Sequence, residues 1–188
     1  MVLKTGTEIS NTQGCPGGAL PGADADAIIR LAVSGEQLFA SYRQGDPLTW
    51  RLFRTNDLGC AIGGVLDSSW EPGWSTSGDN AASLWSGMWA DPTDANNLYL
   101  GGTYFWRSTN NGGFFTLTSG LDSPANSAHV DHHAVATDPA SPNVIYSLND
   151  GGIFRSSSRG ASGSWRLLGS GIQARREHYT RATTLRKL

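Results

Sequence analysis

Charge is scarce in this chain: only 16% of its 188 residues are Asp, Glu, Lys or Arg. A sequence so poor in charge is not a solvated, disordered polymer. The formal net charge is −2, so there is no electrostatic reason to expect nucleic acid or an anionic membrane as partner. Long apolar runs are missing too, and no stretch approaches the roughly 18 residues of a membrane span. Cysteine is limited to Cys15 and Cys60, both in Gly/Pro-rich surroundings and without metal-type spacing. A disulfide between them and two free thiols are both open. Met1 to Lys4 runs into Thr, Gly, Glu and Ser, so no hydrophobic leader is visible at this end.

What the chain does have is glycine, 24 residues of it, and seven tryptophans. That composition suits an all-β protein of short strands and many turns. The densest pattern runs from His129 to Trp165. Val130 to Ala136 reads as a strand, and Asp138-Pro139 with Ser141-Pro142-Asn143 reads as a turn. Val144-Ile145-Tyr146 favours a second strand. Asn149-Asp150-Gly151-Gly152 is a hairpin signal, because primed turns need positive φ. Ile153 to Ser156 gives a third strand and Ser164 to Leu168 a fourth.

The same pattern lies upstream, from Met88 to Thr116. Asp91 precedes Asp138 by 138 − 91 = 47 residues, Tyr99 precedes Tyr146 by the same interval, and Arg107-Ser108 answers Arg155-Ser156 one residue out of step. A looser copy in front comprises Ile29 to Ser34, Leu38 to Tyr42 and Trp50 to Arg54. Four strands per unit at a period of about 40–50 residues mark a propeller blade. The expected fold is therefore an incomplete β-propeller of about three four-stranded blades over residues 28–172. An extended arm over 1–27 would precede it, and a basic tail or truncated further blade over 173–188 would follow. At this period the chain has room for four units but shows three, so open strand edges are expected to invite self-association.

Ser108-Thr109-Asn110-Asn111-Gly112-Gly113-Phe114-Phe115 resembles an Asp-box, the turn of BNR-repeat propellers. Ser156 to Trp165 resembles a degenerate one, without the acid and two residues longer. The resemblance covers Trp85 to Ile172 well and Ile28 to Gly59 loosely. It points to a superfamily that is similar to sialidases, xyloglucan-active glycosidases and sortilin ectodomains. It implies a secreted or envelope location, which a missing upstream region would reconcile with the absent leader. It is specific for fold and poor for function, because one fold hosts many chemistries. In such a turn Ser108, Asn110, Gly112 and Phe115 are structural: the Asn side chain accepts backbone N–H bonds and Phe115 packs between hairpins.

Three segments carry the candidate chemistry. His129-Val130-Asp131-His132-His133 holds three of the four histidines beside an acid. Strand alternation would put His129, Asp131 and His133 on one face and His132 on the other. Such a face suits ligand contact, a His–Asp pair for proton transfer, or a divalent metal. A polar network at the propeller mouth is the structural alternative, and neither metal nor cofactor is expected. Trp70 and Trp74 lie in a loop-like stretch from Gly59 to Ser83, where the rings either stack on sugar or pack against a neighbouring loop. Trp85 and Trp89 are expected to be packing residues. Asp150 is expected to serve its turn. If the protein were a glycoside hydrolase it would need two carboxylates about 5–10 Å apart. Candidates are Asp131 and Asp150, with Asp67 or Glu71 further off. The favoured function is a binding or scaffolding module for polysaccharide or another protein, with glycoside hydrolysis as the rival.

Overall fold

The computed structural model describes residues 27–45, 48–55, 71–120, 126–138 and 140–168. They form three four-stranded antiparallel sheets and one short helix, so the protein is all-β. The first sheet holds β1 (Ile28–Ser34), β2 (Gln37–Gln44), β3 (Thr49–Thr55) and β4 (Glu71–Ser77) in that order. After α1 (Gly78–Ser83) come β5 (Gly87–Ala90), β6 (Leu98–Gly101), β7 (Phe105–Ser108) and β8 (Thr116–Ser119). The third sheet holds β9 (His132–Thr137), β10 (Ile145–Asn149), β11 (Gly152–Ser156) and β12 (Trp165–Leu167). Each is a meander, with every strand beside its sequence neighbour.

The period of 47 survives in three dimensions. Trp89 pairs with Tyr99 and Tyr99 with Arg107 in the second sheet; Ala136 pairs with Tyr146 and Tyr146 with Arg155 in the third. The turns before the second strands match as well. The Asp91 N–H donates to the Asn97 carbonyl at 2.9 Å, and the Asp138 N–H donates to the Val144 carbonyl at 3.0 Å. The Asp91 and Asp138 carboxylates accept the Thr93 and Ala140 N–H groups, each at 2.9 Å, which fixes both turns.

Of the stretch expected to be loop-like, Gly59 to Ser83, residues 59–70 lie outside the described residues, and the rest is β4, which supplies the fourth strand of the first sheet, followed by α1. The composition of β4 hides it: Pro72 and Gly73 interrupt any alternation, and proline is tolerated only because β4 is an edge strand. The β3–β4 register shifts between Arg51 and Phe53, opposite that interruption.

Apolar side chains fill the spaces between sheets rather than one central core. Phe39, Trp50 and Leu52 of the first sheet meet Met88, Leu98, Leu100 and Phe115 of the second. Tyr99 and Phe105 of the second meet Ile145 and Trp165 of the third. The second sheet is thus covered on both faces, which its run Leu98-Tyr99-Leu100 reflects by being buried at every position. First strands lie against first strands, β1 on β5 and β5 on β9. Side chains stitch them: Arg30 Nε donates to the Ser86 carbonyl at 3.0 Å, Ser34 Oγ to the Asp91 carbonyl at 2.6 Å, and Ser86 Oγ to the His133 carbonyl at 3.2 Å.

Two serines close the turns that bridge third and fourth strands. Ser108 Oγ accepts the Asn110 and Gly112 N–H groups at 3.3 and 3.0 Å. Ser156 Oγ accepts the Ser158 and Gly160 N–H groups at 3.1 and 2.9 Å. Asn110 Oδ1 also accepts the Phe114 N–H at 3.0 Å. In the longer turn no Asn is present, and Ser164 Oγ meets Ser156 Oγ at 2.6 Å instead. Gly112 and Gly160 have φ of +75° and +74°. A Cβ on Gly112 would fall 2.3 Å from Leu52 Cδ2, and one on Gly160 would fall 3.1 Å from Phe105, so each turn is seated on the preceding sheet.

Candidate functional site

The histidine segment lies at the opposite end of the sheets from those serine turns. Along β10 the chain runs from Ile145, paired with Ser156, to Asn149, paired with Gly152 and His132. The start of β9 and the β10–β11 turn therefore share one end of the third sheet, and His133 and Asp150 meet there. His133 Nε2 lies 2.7 Å from Asp150 Oδ1, with the two side chains 22% and 34% exposed. A carboxylate only accepts, so Nε2 carries the proton of this bond. The Trp85 ring lies 5.4 Å from the imidazole, and its Nε1 donates to Thr103 Oγ1 at 3.2 Å.

The alternation expected through His129, Asp131 and His133 does not occur. Asp131 has φ of +61°, a left-handed conformation that ends the extended run, and β9 begins only at His132. The Asp131 N–H donates to the Thr103 carbonyl at 3.1 Å and the His132 N–H to the Gly102 carbonyl at 2.7 Å, which anchors the kink on the second sheet. His129 is brought to the same region by another route. A Cβ on Gly151 would fall 2.5 Å from His129 Cβ, so the histidine side chain lies directly against the β10–β11 turn. His133 hydrogen-bonds Asp150, seventeen residues on.

Asp150 was expected to hold its own turn, and that too is corrected. Asn149 Oδ1 takes the role by accepting the Gly151 N–H at 3.0 Å, which leaves the Asp150 carboxylate for His133. The signal was present in the sequence as the pair Asn149-Asp150, since either residue can form an Asx-turn.

His132 is a different kind of residue from its neighbour. It is fully buried, its Nδ1 lies 2.7 Å from Ser147 Oγ, and its ring lies 5.0 Å from Phe105. Burial first, then the neighbouring His133 and His129, push its pKa down to about 3. It is a neutral core imidazole with no access to solvent.

The remaining candidates fall elsewhere. Trp74 is half-buried, with ring centroids 5.7 Å from Trp50, 5.6 Å from Trp106 and 5.3 Å from Phe115. Glu71 is paired with Arg54 at 3.0 Å on the edge strand of the first sheet, away from the His133 end. Phe115 is buried between the first two sheets with Trp50 and Trp74 around it. Trp70, Asp67, Cys15 and Cys60 lie outside the described residues, as do the arm over 1–26 and the tail over 173–188. Among the described residues no three His, Cys, Asp or Glu side chains are grouped to hold a metal ion, and no helix is long and apolar enough to cross a membrane. Protein-family models give no match to the chain, and curated proteins give none.

Proposed function

We propose that the three sheets are blades of an Asp-box β-propeller, and that the chain is a binding module whose ligand meets the His133 end. The observation that carries this is the His133–Asp150 pair beside the Trp85 ring. It combines a directed donor and acceptor with an aromatic surface, which is what a polyhydroxylated ligand such as a polysaccharide needs. Thr103 holds the Trp85 indole, and His129 lies against Gly151, next to Asp150. Support for the blade reading comes from the matched registers, the seated turns and the contact of first strand with first strand. The Asp-box resemblance of Ser108 to Phe115 supports an extracellular or envelope setting.

The test is retention of the chain on a panel of insoluble and gel-embedded polysaccharides. On a glycan that retards the parent chain, His133→Ala and Asp150→Asn are each expected to weaken retention at least tenfold, with folding checked by circular dichroism. Equal retention of both variants on every retarding glycan would remove the site. The hydrolase reading has one specific observation in its favour: Asp131, just before β9, and Asp150, in the β10–β11 turn, stand at the same end of the third sheet. Release of reducing sugar that disappears in Asp131→Asn would establish it in place of the binding module.

A further inference from the structure

The two interfaces between sheets share one construction, and the third sheet carries its receiving half. Arg54, on β3, donates through Nη1 to the Asn111 carbonyl at 2.8 Å, within the Ser108 turn of the second sheet. Arg107, on β7, donates through Nη1 to the Ser158 carbonyl at 3.4 Å, within the Ser156 turn of the third. Each arginine pairs in register with a fully buried aromatic residue, Phe39 for Arg54 and Tyr99 for Arg107. Arg155 on β11 is next in this series, paired with Tyr146. Among the described residues it makes no hydrogen bond or ion pair.

The surface around Arg155 has the chemistry of a covered face without its cover. Ala134, Ala136 and Leu148 are exposed there, and Tyr146 and Ile153 are half-buried. The second sheet has Trp89 where the third has Ala136, and Gly101 where the third has Leu148. The Trp89 indole lies over Gly101, whose Cβ would fall 2.8 Å from it. In the third sheet the bulk moves from the first strand to the second, and the face stays apolar. The polar tie at the rim is half-built as well. Arg159 of the third sheet reaches Asp94 at 2.7 Å and Asp91 at 3.8 Å on the second. Asp138, which matches Asp91, holds only the N–H of Ala140 among the described residues.

We propose that this face is the docking surface for a further four-stranded unit of the same repeat. Its serine turn would offer a carbonyl to Arg155 and a donor to Asp138. Its aromatic residue, in the place of Phe115 and Trp165, would cover Tyr146 and Ile153. A second copy of the chain cannot supply that unit as folded. The matching faces of its second and third sheets are already spent on their neighbours, and the outward face of its first sheet is closed at Ala40 and Tyr42, both fully buried. The proposal rests on reading the sheets as blades and is independent of any ligand at His133.

The test repeats residues 121–168 directly after Leu168, the rest of the chain kept, and follows amide exchange over Ile145–Ser156. The extension is expected to slow exchange at Tyr146 and Arg155 at least tenfold, at every protein concentration. Arg155→Ala should undo most of that slowing in the extended chain and change exchange in the parent less than twofold. Equal exchange in the two chains overturns the proposal. So does slowing in the parent that grows with concentration, which would put a second copy on the face. Arg107→Ala in the parent separates the levels: faster exchange at Tyr99 upholds the arginine strap, so a silent extension then removes the docking alone. No change at Tyr99 removes the strap and the proposal together.

Discussion

Ser108 and Ser156 show how little sequence fixes a turn of this kind. In each, one buried hydroxyl collects two backbone N–H groups that would otherwise be unpaired inside the protein. Removing such a hydroxyl strands both donors, so Ser108→Ala is expected to cost about 1–3 kcal/mol in urea unfolding. Gly112→Ala should cost as much or more. It combines a left-handed backbone with a Cβ 2.3 Å from Leu52, and both penalties act in the same direction. Thermal unfolding of the two variants, side by side with the parent, checks both. His132 supplies the pH dependence. Its pKa lies near 3 when folded and near the ordinary 6.5 when unfolded, so only the unfolded chain takes up the proton between those values. The contribution of His132 to stability is therefore full above pH 6.5 and falls as pH drops toward 3, at about 1.4 kcal/mol per unit. In His132→Gln that slope should be reduced by close to one proton. An unchanged slope would show that the imidazole is not neutral in the fold.

Elements differ in how plainly they were written in the sequence. The second and third sheets were legible because turn residues recur at fixed places: Asp91 and Asp138, Asn97 and Val144, Ser108 and Ser156. β4 was hidden because an edge strand is held by one neighbour, and its residues need not alternate. Its one large apolar side chain, Trp74, read from its Ser/Gly context as stacking on sugar or packing against a neighbouring loop, joins Trp50, Trp106 and Phe115 between the sheets. Trp74→Ala is accordingly expected to destabilise the protein by about 3 kcal/mol, as large-to-small core substitutions do. A change below about 0.5 kcal/mol would contradict its packing role. The site was legible in composition and not in geometry. Three histidines and an acid in a row marked the place, but the left-handed backbone at Asp131 broke the alternation, and no periodicity reports a single positive φ. The His133–Asp150 bond spans two strands, so it depended on a register that sequence spacing alone leaves open.

At the scale of the whole molecule, the described sheets are seated on one another by a repeated set of contacts. Each serine turn leans on the sheet before it, the third-strand arginines Arg54 and Arg107 each hold a carbonyl of the turn after them, and first strands line up beside one another. As blades, the proposed reading, sheets joined in this way would fan about a common edge, with first strands gathered and fourth strands spread. The most direct measurement is a pair of distances by pulsed electron spin resonance, with spin labels at exposed positions. One pair sits on first strands, at Val33 and Ala136; the other sits on fourth strands, at Ser75 and Arg166. The fan predicts a clearly shorter distance for Val33 to Ala136 than for Ser75 to Arg166. Equal distances, or the reverse order, would contradict it.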